Sequence, residues 1–179
     1  MPFDFSQNYF QLFNVTEMFP VDPHAITERY RELQKVLHPD RYASKSQQEQ
    51  RMAVQAASYV NAAYETLRSP LMLAIYILGL QGFDLNSETD THMSGPFLME
   101  QMQWREALDD LSDRDNPRET LSQLSAEVNR RGEDIFHRLS TQLNHKAWND
   151  ACNSVRELQF IETMRSRLEL EAAALEKRD

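Results

Sequence analysis

His38 and Asp40 flank Pro39 in the stretch Leu37-His38-Pro39-Asp40-Arg41-Tyr42, and a histidine this close to a carboxylate has the makings of a general base with an orienting acid. Such a pair needs something to act on. No nucleophile, metal partner or Gly-rich phosphate loop adjoins it in the sequence. His24, His92, His137 and His145 lie on other segments at no metal-like spacing, and there is no Cys-x-x-Cys. The plain alternative is a turn, because Asp and Pro are common where helices end. A third reading is recognition, with a rigid polar tip beside a helix that carries Arg29, Arg31 and Lys35, and with Arg41 following.

Two helices must hold that tip. Before it, Ile26, Tyr30, Leu33 and Leu37 recur at helical spacing, and Asp22-Pro23 supplies an N-cap and a proline at the first helical position. Pro39 disfavours helical geometry at His38, so that helix ends there. After it, Ala53, Ala56, Val60, Ala63 and Leu67 form a second stripe, running from near Ser46 to Arg68. The two make a helical hairpin. Residues 6–14 predict a short helix offering Tyr9, Phe10, Leu12 and Phe13 to a core, and the apolar run from Leu71 to Leu80 predicts a largely buried one.

Polar turn formers over 83–95 mark a boundary, beyond which three amphipathic helices are expected, at 96–111, about 117–144 and about 147–177. The second has a stripe of Leu121, Leu124, Val128, Ile135 and Leu139. The third has a near-heptad seam through Ala151, Val155, Leu158, Ile161 and Leu168. Only 4 glycines and 7 prolines in 179 residues, with no period-2 alternation, favour an all-α fold.

The net charge of −9 argues against nucleic acid or an anionic membrane surface as the main partner. Cys152 is the single cysteine, which excludes an internal disulfide and suits a reducing compartment. No apolar run reaches the length of a membrane span. The amino terminus lacks a signal or transit pattern, so the expected location is cytoplasmic.

A His-Pro-Asp tip on a helical hairpin resembles the J domain, the module that activates DnaK-type chaperones. The segment Val60-Asn61-Ala62-Ala63-Tyr64-Glu65-Thr66-Leu67-Arg68-Ser69-Pro70 is similar to the end of its third helix. The resemblance implies that His38, Pro39 and Asp40, with Arg29, Arg31, Lys35 and Arg41, dock on the chaperone and stimulate its ATP hydrolysis.

The first bundle helix has too many apolar faces. At about 100° per residue, Phe97, Trp104, Leu108 and Leu111 cluster as a core stripe, whereas Leu98, Met99 and Met102 fall at about 100°, 200° and 140° from Phe97. Glu106 shares that side, with Gln103 and Arg105 at its edges. Phe160 and Met164 likewise lie off the seam of the last helix. Such residues serve a second packing surface or a partner.

The run Phe97-Leu98-Met99-Glu100-Gln101-Met102-Gln103-Trp104-Arg105-Glu106, with Gly82-Phe83-Asp84-Leu85 and Val155-Arg156-Glu157-Leu158-Gln159-Phe160, resembles the HscB family of J-proteins, which serves iron–sulfur cluster assembly. That resemblance implies a J domain over 1–82, a linker over 83–95 and a scaffold-binding three-helix bundle over 96–179, in an L shape. It implies that Leu98, Met99, Met102, Gln103, Glu106 and Phe160 bind the scaffold protein IscU, which is delivered to the DnaK-type ATPase HscA. Met102 and Gln103 stand where relatives often have Leu and Glu. Some relatives bind metal through paired Cys-x-x-Cys motifs; this chain has none, so neither metal nor cofactor is expected, and no enzymatic activity of its own. The alternative is a general J-protein delivering a different client.

Overall fold

Capping residues set where the helices begin. The computed structural model describes residues 3–85 and 93–177, without the side chains of Pro39 and Asp113, and every helix or strand among them is helical. Helix α1 (Tyr9–Phe13) starts at an Asn8 capping box closed by Gln11. In α2 (Pro23–Leu37) the Asp22 carboxylate accepts from the His24 amide at 2.9 Å, ahead of Pro23. In α3 (Gln47–Arg68) Ser46 forms a capping box with Glu49, and its hydroxyl holds the Glu49 carboxyl below its ordinary pKa. The later helices are α4 (Pro70–Leu80), α5 (Gly95–Asp109), α6 (Pro117–Asn144) and α7 (Trp148–Glu176).

The connection after α2 contains a 3-10 turn, Pro39–Arg41. The bounds follow the hydrophobic pattern closely, with one difference. Leu111 is not the last residue of the first bundle helix. Asp110, with ψ near 4°, leaves helical geometry, and Leu111 sits in a separate 3-10 turn, Leu111–Asp113, where it is still buried.

The chain divides into two compact units, Met1–Ile77 and Leu78–Asp179, so the division falls inside α4. Of the expected 83–95 linker, residues 86–92 lie outside the described residues. In the first unit α1 packs on α2 and α3. Its core holds Phe10, Phe13, Phe19, Ile26, Ala56, Val60, Ala63 and Leu67. Tyr30 and Tyr64 stack 4.0 Å apart and tie α2 to α3, and the Tyr30 hydroxyl donates to Asn61 Oδ1 at 2.9 Å. Tyr9, Tyr59 and Tyr76 form a second aromatic group, in which the Tyr59 hydroxyl donates to the Gln7 carbonyl at 2.7 Å. Along α4, Leu73, Ala74, Ile77 and Leu78 are buried as expected, while Met72 and Leu80 are exposed.

In the second unit α6 and α7 form the main pair, with Leu121, Leu124, Val128, Ile135, Leu139 and Leu143 facing Ala151, Val155, Leu158, Ile161 and Leu168. Arg138 crosses this seam to the buried Glu157 and to Ser154, whose hydroxyl donates to Gln142. A buried carboxylate demands such a partner. Space is tight at Gly132: a Cβ there would lie 2.5 Å from Arg165 Nη2 and 3.0 Å from Ile161 Cγ2.

Two outcomes follow from this packing. Gly79→Ala, in α4 with nothing within 4 Å of the new Cβ, should stabilise the protein by about 1 kcal/mol through helix propensity. Gly132→Ala should fail to gain this, because displacing Ile161 and Arg165 costs about 1–3 kcal/mol; paired urea-unfolding curves measure the difference. Burial raises the Tyr59 and Tyr76 hydroxyls above the ordinary tyrosine pKa. Folding therefore favours their neutral forms. That contribution is complete below about pH 10 and is lost as pH rises through the raised values, so an ultraviolet titration of the 6 tyrosines should show late ionisation with alkaline unfolding.

Candidate functional site

Proline geometry shapes the tip. His38 leaves the helix with φ −57° and ψ 131°, as a residue before proline should, and the Arg41 amide donates to the His38 carbonyl at 3.0 Å to close the turn. His38 Nδ1 accepts from the Asp40 amide at 3.3 Å and lies 3.6 Å from the Asp40 carboxylate. The first contact needs an unprotonated Nδ1 and the ion pair a protonated one, so they are alternatives. Both side chains are exposed, and a pair in that setting contributes little stability. The turn presents a solvent-exposed polar surface.

Leu37, immediately before the tip, is buried and borders two open hollows between α2 and α3. One, of about 480 Å³, is lined by Arg31, Lys35 and His38 over an apolar floor that includes Leu37 and Val60. The other, of about 530 Å³, is lined by Asp40 and Tyr42 together with Ala53, Val54 and Ala57 of α3. The structure thus brings Arg31, Lys35 and His38 to one groove and turns Asp40 toward the other. Arg41 folds back, with Nη1 3.4 Å from the Lys35 carbonyl. Arg29 is half-buried and bonded to Glu32 at 2.9 Å, and its Nε has no hydrogen-bond partner among the described residues. Of Pro39 the backbone is described and the side chain is not.

The second cluster lies on α5. Phe97, Gln101, Trp104 and Leu108 are buried, whereas Leu98, Met99 and Met102 are 45%, 65% and 69% exposed, and Gln103 and Glu106 are exposed beside them. The inner face is fastened by polar contacts as well as by packing. Trp104 Nε1 donates to Glu127, and Arg131 bonds Glu100 at 2.9 Å while lying over the Phe97 ring. An apolar face remains in water on a helix that is firmly held.

Phe160 joins this cluster from α7. Half-buried, it lies nearly parallel to Trp104 at 6.3 Å and meets Phe97 edge-on at 5.8 Å. The Arg105 guanidinium carbon sits 5.2 Å from its ring centre. Of the two uses open to Met164, packing or a partner, it takes packing: it is buried, with only 1% of its surface exposed. With α6 on one side and α5 reaching it through Phe160, α7 buries a wider arc than a two-helix seam would need. Arg105 was placed by the helical wheel at the edge of the face. Its contact with a residue of α7 carries no signature in the sequence beyond the off-seam position of Phe160.

Among the described residues no group of three or more His, Cys, Asp or Glu could hold a metal ion, and no helix is long and apolar enough to cross a membrane.

Comparison with known proteins places this arrangement. The family model of the HSCB C-terminal oligomerisation domain matches residues 93–169. A co-chaperone protein HscB homolog from Shewanella loihica is 39% identical, covering 94% of this chain and 99% of the relative. The solved structure of the chaperone HscB from Vibrio cholerae is 34% identical with a TM-score of 0.84, over 94% of this chain and 99% of the other. The crystal structure of human co-chaperone protein HscB superposes with a TM-score of 0.86 at 25% identity, over 94% and 84% of the two chains.

The two faces of α5 should separate stability from recognition. Leu98→Ala, Met99→Ala and Met102→Ala should each leave unfolding free energy within about 0.5 kcal/mol of wild type, because the side chains are exposed. Phe97→Ala, which empties a fully buried site, should cost about 3–5 kcal/mol. Urea denaturation of the four variants measures both.

Proposed function

The chain belongs to the HscB family of J-domain co-chaperones, and on that premise we propose that it serves iron–sulfur cluster assembly by carrying the scaffold protein IscU to the chaperone HscA and stimulating the chaperone's ATPase. The tip, His38-Pro39-Asp40 with Arg29, Arg31, Lys35 and Arg41, engages HscA. The α5 face, Leu98, Met99, Met102, Gln103 and Glu106 with Phe160, engages IscU. The protein acts in the cytoplasm, without cofactor or chemistry of its own.

One observation carries the reading: a single chain bears both a cation-lined polar turn and a solvent-facing apolar helix face, each on its own compact unit. The acidic chain as a whole, with a basic strip on α2, suits an acidic docking surface on the ATPase. The exposed methionines suit an adaptable apolar contact with the scaffold. Holding both partners on one chain raises the effective concentration of one at the other, so delivery and activation coincide.

HscA turnover, measured with IscU present, should rise with the wild-type protein and stay near basal with His38→Gln. Equal stimulation by both would remove the tip from the mechanism. Pull-down of IscU by wild type should be lost with the Leu98→Ala/Phe160→Ala double variant, at about 2 kcal/mol for each anchor residue. Retained capture would dismiss the α5 face.

A further inference from the structure

We infer that Arg105 is a positioning residue of the α5 face: its guanidinium holds the Phe160 ring against α5, so that a side chain from α7 and the exposed apolar residues of α5 present one surface. The inference rests on the reading of that face as the scaffold-binding site.

Phe160 is gripped from within by rings that never leave the core. Trp104 and Phe97 are 3% and 0% exposed, and they meet Phe160 in one near-parallel and one edge-on contact. Those contacts restrain the inner part of the ring. The residue is half-buried, and Arg105 lies within cation–π range of its ring at 5.2 Å. Arg105 follows Leu98 by seven positions and Met102 by three, which sets its stem on the same side of α5 as both. The methylenes of an arginine stem lie along apolar surface while the head stays wet. Arg105 therefore spans the step between the ridge of Leu98 and Met102 and the ring donated by the neighbouring helix.

A second arginine shows what this one is not. Arg131 also lies over a ring, that of Phe97 at 5.5 Å, but its guanidinium is bonded to Glu100 and belongs to the joint between α5 and α6. Arg105 forms no ion pair among the described residues. Stacking on a ring uses none of its five N–H donors. When the scaffold covers the face, those donors point at the rim of the interface, where a carboxylate of the partner can take them. Arg105 thereby orders the aromatic anchor before binding and supplies the cationic edge during it.

Calorimetric titration of full-length protein with purified apo-IscU tests this, using wild type, Arg105→Ala, Arg105→Lys and Leu98→Ala. The expected result is a loss of roughly tenfold in affinity for Arg105→Ala with partial recovery for Arg105→Lys, which restores the cation without the planar fork. The melting temperature should not move, and the salt dependence of affinity should be shallower in Arg105→Ala than in wild type. Wild-type affinity in Arg105→Ala alongside a weakened Leu98→Ala would overturn the role of Arg105 and leave the binding face standing. Undiminished affinity in both would overturn the face itself. A loss in Arg105→Ala with a lowered melting temperature and no recovery by lysine would assign Arg105 to bundle stability and end the inference.

Discussion

An exposed polar tripeptide has few contacts with which to hold its own shape, so the 38–41 turn depends on the residue before it. Leu37 is the last helical residue of α2 and is buried between the two hollows that border α3. Burying a leucine contributes about 1.5–3 kcal/mol, far more than the exposed His38–Asp40 pair can. That anchor, with Pro39 preventing another helical turn, determines where the chain departs from α2. The direction in which His38 and Asp40 face then follows. The stacked Tyr30 and Tyr64 fix the spacing of the two helices behind the tip. A recognition surface made of solvated groups is thus shaped by apolar and aromatic contacts just beneath it.

The bundle solves a related problem by the opposite means. Its exposed residues are apolar and would favour burial, so the helix carrying them has to be held against rotation. Phe97, Trp104 and Leu108 lock one face of α5, and the contacts of Arg131 with Glu100 and of Trp104 with Glu127 fix its register on α6. Rotating α5 to hide Leu98 and Met102 would expose Phe97 and Trp104 and break both polar contacts. A buried tryptophan whose indole N–H has a partner is costly to displace. The apolar face stays in water because the alternative is worse.

The polar interior of the α6–α7 pair contributes specificity of pairing. Arg138, Glu157, Ser154 and Gln142 form a connected set across the seam, and Gly132 accepts the Arg165 side chain where no larger residue fits without adjustment. A purely apolar stripe at near-heptad spacing tolerates sliding by a turn; matched polar partners do not.

The sequence alone determined nearly all of the local structure. Asp22-Pro23, Ser46 with Glu49, and Pro39 are start and stop signals that act within a few residues, and the hydrophobic stripes repeat with the helix period. Helix bounds and the buried and exposed faces of α5 were legible for that reason, and the His-Pro-Asp motif is contiguous. What lies between elements was not legible. Met164 is buried because α7 has neighbours on two sides, and Arg105 meets Phe160 across fifty-five positions of sequence. The separation of His38 and Asp40 onto different hollows likewise comes from the way α3 packs behind Leu37. Periodicity says which side of a helix is apolar, but only packing against particular neighbours decides how wide the buried arc becomes and which side chains meet across it.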